Sequence, residues 1–167
     1  MESKKIGEYE LKLSPELEKE ERATLNISDK FWFVLSQKIK SSSDIAPDNF
    51  IDIIFNSQNK GFVEGNKQIF DEDLLSEDET MVIMGFSVNK KEIYVNLPRN
   101  QIDEDEFFGL LVHELAHYWQ VFTNKYPDIS KGNVENNDVD SPWEKEAYRL
   151  GQDPTLLKLF KDSCEII

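Results

Sequence analysis

The chain has 167 residues, about the size of one domain, and 39% of them are hydrophobic, with eleven Phe and three Trp among them. That is enough apolar material to fill one interior, so a single packed core is expected and a disordered polymer is excluded. Thirty-three acidic against 19 basic side chains give a net charge of -14, which repels phosphate backbones and anionic membranes and argues against nucleic acid and membrane as partners.

The opening, Met1-Glu2-Ser3-Lys4-Lys5, is charged and has no apolar run of the signal-peptide kind, and no later stretch is long enough to span a bilayer. A cytoplasmic chain is expected, and a monomer fits it. Residues 1–13 are polar and read as a loose arm ahead of a single domain over 14–167. At Ser14-Pro15-Glu16-Leu17 a helix is expected, with Ser14 as cap and Pro15 at the first helical position, running through a charged stretch to Arg22. The three- and four-residue spacing of Phe31, Val34, Leu35 and Ile39 predicts a second helix ending near Ser41-Ser42-Ser43.

After Pro47 the period shortens. Phe50 to Phe55 reads as a buried strand, with Gly61 to Phe70 as its partner, and the acidic run from Asp71 to Thr80 as a solvated connector. Met81 to Val88 and Glu92 to Leu97, on either side of Asn89-Lys90-Lys91, predict an antiparallel hairpin with Ile93, Val95 and Leu97 on one side and Tyr94 and Asn96 on the other.

A long helix is expected to open at Asp103, with Glu106 completing a capping-box-like pair. Phe108, Leu111, Val112, Leu115, Trp119 and Phe122 give it an apolar stripe and a central position. Thr123 to Asp140 lacks periodicity and reads as a long loop. Ser141-Pro142-Trp143-Glu144 starts a short helix that Gly151 ends, and Asp153-Pro154 opens a last one through Leu156, Leu157 and Phe160. Cys164 is the only cysteine, so no intramolecular disulfide can form, and with no histidine left over it lacks a base partner for nucleophilic work. The pattern predicts an α+β fold: two N-terminal helices, a small and mostly antiparallel sheet, a central helix beneath it and two closing helices.

The chemistry concentrates in His113-Glu114-Leu115-Ala116-His117. Residues four apart on a helix lie one turn above each other, so the two imidazoles, the only ones in the chain, can be aimed at one ion. Glu114 projects beside them, where a carboxylate can take a proton from a metal-activated water rather than ligate. Catalytic zinc needs a third protein donor, and with no histidine left a carboxylate is the replacement. The helix after Ser141 offers Glu144 and Glu146. Glu144 falls at the third helical position, where a Glu reaches back to the cap's own N–H. Glu146 has no such task, and the neighbouring Ala147 permits close helix approach. Glu146 is therefore the expected ligand and Glu144 the reserve. Neutral imidazoles ligate, so affinity is expected to fall below about pH 6.

Leu111-Val112-His113-Glu114-Leu115-Ala116-His117-Tyr118-Trp119-Gln120, followed by Trp143-Glu144-Lys145-Glu146-Ala147-Tyr148-Arg149, resembles the gluzincin group of zinc metallopeptidases, especially its small single-domain members. The resemblance implies a zincin-like fold and zinc held by His113, His117 and Glu146. It also implies Glu114 as the base and a peptide or protein substrate aligned by a strand of the Met81–Leu97 hairpin, with Tyr94 and Asn96 as candidate substrate contacts. Thermolysin-like members add a His or Tyr at the oxyanion, a role left here to Tyr148, Arg149 or Tyr126. They also place an Asp soon after the zinc-binding Glu to support a motif histidine. Here Ala147, Tyr148, Arg149 and Leu150 follow instead, so support is expected from Asp138, Asp140 or a backbone carbonyl. Two other classes stay open: an inactive zinc-binding relative that recognises a partner, and a metal-free helical interaction module.

Overall fold

The computed structural model describes residues 3–8, 21–43, 47–55, 68–70, 84–87, 91–95, 104–127 and 141–167. Among them are four α-helices and one seven-stranded sheet. The strands are β1 (Lys4–Lys5), β2 (Glu21–Asn26), β3 (Phe50–Phe55), β4 (Gln68–Phe70), β5 (Met84–Ser87), β6 (Glu92–Val95) and β7 (Glu165–Ile166). The helices are α1 (Asp29–Ile39), α2 (Glu104–Phe122), α3 (Pro142–Gly151) and α4 (Pro154–Ser163). The sheet order is β1-β7-β2-β3-β6-β5-β4, with β3–β6 its parallel pair and the other pairings antiparallel. The α+β class and the mostly antiparallel sheet are thus as expected.

Three expected elements differ. Glu21 and Arg22, assigned by pattern to the end of a first helix, lie in β2, whose Arg22, Thr24 and Asn26 alternate with Ala23 and Leu25. The period is two, and the strand is held by β3 along its whole length; the rest of that expected helix lies outside the described residues. Residues 4–6 of the supposed loose arm are tied down, since β1 pairs with β7 and Ile6 is fully buried. Gln68–Phe70 is a strand but pairs with β5, whereas β3 lies between β2 and β6.

Register sorts the sheet into two faces. Ala23, Leu25, Ile51, Ile53, Phe55, Ile93, Val95 and Phe86 share the face that joins the hydrophobic core with Phe31, Leu35, Val112, Leu115 and Phe160. The other face carries Arg22, Thr24, Asp52, Glu92 and Tyr94, tied by Arg22–Glu92 at 2.9 Å, Thr24–Asp52 at 3.1 Å and Tyr94–Glu92 at 3.1 Å. Alternation of side chains across a strand produces this division.

The helices cover the core face. Ser28 caps α1 by accepting from Phe31 N, and Lys40 in the left-handed region closes it. Asp153 caps α4 by accepting from Thr155 N and Leu156 N. Burial alone would raise the Asp153 carboxyl, but hydrogen bonds from Lys38 and from those two backbone N–H groups outweigh it and hold the group below its ordinary value. Trp32 and Trp119 stack with centroids 5.5 Å apart, and Phe31 meets Phe160 at 5.5 Å, so α1, α2 and α4 share one aromatic cluster.

Candidate metal centre

Helix α2 begins with Glu104, Asp105 and Glu106, carboxylates at the end where the backbone N–H groups leave a partial positive charge. From Leu111 to Gln120 every residue is buried. The helix is covered on all sides over that stretch, not on one apolar stripe alone, which puts the motif at the centre of the molecule. His113 is 1% and His117 0% exposed, with ring centroids 4.8 Å apart and planes at 78°.

The third group arrives on α3. Ser141 accepts from Glu144 N at 3.4 Å and Pro142 occupies the first turn, so the start of this helix is fixed by its cap. Two glycines bring α3 onto α2. A Cβ at Gly109 would stand 2.8 Å from the carbonyl oxygen of Gly151, and one at Gly151 would stand 2.6 Å from that of Gly109 and 3.3 Å from Cβ of His113. Only hydrogen fits at this crossing. Ala147 is fully buried in the same interface. One turn back from Ala147, Glu144 is carried to the histidines. Its Oε1 lies 2.5 Å from His117 Nε2 and its Oε2 3.8 Å from His113 Nε2.

His113, His117 and Glu144 are all buried, and each offers one ligand atom within 4.8 Å of the others. Adjacent donors around a tetrahedral ion with bonds of roughly 2.0–2.1 Å are about 3.3 Å apart; here one carboxylate oxygen stands 2.5 Å from His117 and the other 3.8 Å from His113. The group could hold a metal ion. Glu114, fully buried in the same turn of α2, is not one of the three.

The carboxylate beside the histidines is therefore Glu144 and not the expected Glu146. The Ser141 hydroxyl accepts from Glu144 N, and the side chain of Glu144 turns inward to the histidines. Glu146 receives Lys125 Nζ at 2.5 Å and Gln120 Nε2 at 3.1 Å. Ala147 is the sequence signal that points to Glu144. If position 147 faces α2, then 144, one turn away, faces it too, whereas 146 is rotated by about 100°.

Tyr148, one turn after Glu144, is brought to the site: its ring meets that of His113 edge-on at 4.5 Å and 75°. Arg149 is exposed at the end of α3. Tyr126 stands instead beside Trp143, at 6.0 Å, with Lys125 over its ring. Burial, and then the negative Glu146, raise the Tyr126 hydroxyl above its ordinary value and keep it neutral. Tyr94 lies on the sheet face turned away from α2, and β6 is bonded to β3 and β5 on its two edges, so neither its side chain nor its backbone presents a binding edge toward the histidines. Asn96, Asp138 and Asp140 lie outside the described residues.

Sequence reasoning missed Gln120. Its Oε1 lies 2.8 Å from His117 Nδ1, and its Nε2 donates to the carbonyl of Trp143 at 3.0 Å and to Glu146. The i to i+3 spacing on a helix was the available signal. No protein-family model, no curated protein and no solved structure matches the chain.

Proposed function

We propose that the protein is a zinc-dependent hydrolase of the gluzincin type that cleaves peptide bonds, with zinc held by His113, His117 and Glu144. The observation that carries this reading is the convergence of two imidazoles and one carboxylate from two helices, with a second carboxylate, Glu114, in the same turn but outside the trio. Two His and one Glu form a borderline donor set that suits zinc, and a three-ligand set is the kind that leaves a position for reaction rather than closing the shell. Bound there, zinc would polarise the scissile carbonyl and make water nucleophilic near neutral pH.

The chain's own residues do the proton work. Glu114 accepts a proton from the attacking water and returns it to the leaving amine nitrogen, so one carboxylate serves as base and then as acid. Tyr148, beside His113, is the nearest described side chain of the expected oxyanion candidates. A hydroxyl there can donate to the developing negative charge.

The test is hydrolysis of a mixed peptide library by zinc-loaded wild type and Glu114→Gln. The expected result is stoichiometric zinc in both and a loss of roughly 10²- to 10⁴-fold in hydrolysis for the variant, the usual share of a general base. Equal hydrolysis by both proteins refutes the role of Glu114.

Burial of the trio and of Glu114, all at 0–1% exposure, favours a second reading, a catalytically silent metal-binding domain. Stoichiometric zinc without any library turnover by wild type would select it.

A further inference from the structure

Gln120 sits between the candidate metal centre and a polar chain that runs to the protein's other helices. Its side-chain amide faces three groups: Nδ1 of His117, the main-chain carbonyl of Trp143 and Oε1 of Glu146, whose other oxygen receives the ammonium of Lys125. A carbonyl only accepts, so the amide group turned toward Trp143 must be the NH₂. The amide oxygen is then the atom facing His117, and an oxygen at 2.8 Å from a ring nitrogen requires that nitrogen to carry the hydrogen. Trp143 O and Glu146 Oε1 together exclude the flipped amide, which would set oxygen against two acceptors.

We propose that Gln120 is a positioning residue that fixes His117 as the Nδ1–H form with Nε2 turned to the metal, and that Glu146, anchored by Lys125, holds Gln120 in that orientation. The assignment rests on the metal-site reading above. It gives Glu146 a task consistent with its place outside the trio. It also supplies, from the motif helix itself, the support for a motif histidine that the sequence left to Asp138, Asp140 or a backbone carbonyl. Lys125 extends the chain further: its ammonium also donates to the carbonyl of Ile39, the last residue of α1, at 2.5 Å. The end of α1, the start of α3 and the motif helix are thereby locked to one imidazole. A ligating histidine whose second nitrogen has a fixed acceptor is held in both tautomer and ring angle, which strengthens its bond to the ion.

Two measurements on the full chain test this: zinc affinity by competition with a chromophoric chelator, and detection of the His117 ring N–H protons by ¹⁵N-edited NMR, with and without zinc. Gln120→Leu should weaken zinc by roughly 10- to 100-fold, the usual effect of losing such a partner. It should also replace a slowly exchanging His117 Nδ1–H signal by a rapidly exchanging one. Glu146→Ala should weaken zinc by a smaller factor, and Glu146→Gln, which keeps an acceptor for the amide, should restore most of that loss.

Wild-type affinity together with an unchanged N–H signal in Gln120→Leu overturns the proposal. If Gln120→Leu does not fold, Glu146→Ala decides the matter: accelerated exchange of the His117 N–H supports the chain, and unaltered exchange refutes it. Should wild type bind no zinc at all, the metal reading fails. The zinc-free NMR comparison then judges the orientation of His117 separately, by the presence or absence of a protected Nδ1–H that depends on Gln120.

Discussion

The contact between Gly109 and Gly151 sets how near Glu144 comes to the histidines, and replacing Gly151 by Ala tests that directly. The added Cβ would lie 2.6 Å from the carbonyl oxygen of Gly109 and 3.3 Å from Cβ of His113. Ordinary contact begins near 3.4 Å, so α2 and α3 must part locally by about 0.8 Å. The obstacle is backbone and cannot rotate away. Metal sites tolerate only about 0.2 Å of error in ligand distance, and Glu144 is carried on the helix that moves. Overpacking of this kind costs about 1–3 kcal/mol.

Gly109→Ala is the companion variant. It meets Gly151 O at 2.8 Å and lies inside α2, past its first turn, where Ala would otherwise be favoured over Gly by ~1 kcal/mol. A destabilised Gly109→Ala therefore reports the crossing against the direction of helix propensity. Zinc competition and thermal unfolding are the assays. Both variants should lose at least about tenfold in zinc affinity while remaining folded, since a ligand displaced beyond that tolerance forfeits most of its bond. Wild-type zinc affinity in Gly151→Ala would refute the claim that this glycine pair sets the ligand geometry.

Other outcomes follow from the same geometry. Glu144→Ala should abolish stoichiometric zinc whereas Glu146→Ala should only weaken it; equilibrium dialysis of both against zinc ranks the two carboxylates, and the reverse order would remove Glu144 from the trio. His113→Ala and His117→Ala should each lose the metal while retaining the helical circular dichroism of the wild type. Asp153→Ala should lower stability near neutral pH by about 1 kcal/mol, the usual worth of an N-cap. Because the folded-state pKa of Asp153 is depressed below 3.8, its contribution is complete above that ordinary value and disappears as pH falls through the lower one. Urea unfolding of variant and wild type should accordingly converge in acid, and a constant difference down to acid pH would contradict the assignment.

Much of the fold was legible because local signals and tertiary demands agreed. The spacing of Phe31, Val34, Leu35 and Ile39 located α1, and Asp153-Pro154 located the start of α4. Alternation through Glu92–Val95 located β6. Residues 21–22 failed because charged side chains next to a helix-start signal look alike in a surface helix and in a strand with one open face. Long-range pairing with Phe55 and Ile54 decides between them, and no local pattern reports that pairing. The tie between β1 and β7 joins the two ends of the described chain and is invisible for the same reason.

Within the candidate site, the two histidines and Glu114 were legible from spacing alone, since one turn of helix determines their relation. The third carboxylate was not, because two rules competed at Glu144. The capping-box pattern claimed it for Ser141, while the small residues Ala147 and Gly151 marked the face on which it lies. The Ser141 cap forms through Glu144 N, while the Glu144 side chain follows the buried Ala147 face to the histidines. Gln120 was missed because its role depends on Trp143 and Glu146, residues more than twenty positions away.

X-ray absorption at the zinc edge of the zinc-loaded wild-type chain tests the central claim most directly. One zinc per chain is expected, bound by two imidazoles and by oxygen donors with bonds of roughly 2.0–2.2 Å, and without sulfur. Failure to take up stoichiometric zinc, or a first shell lacking the signature of two imidazoles, would contradict it.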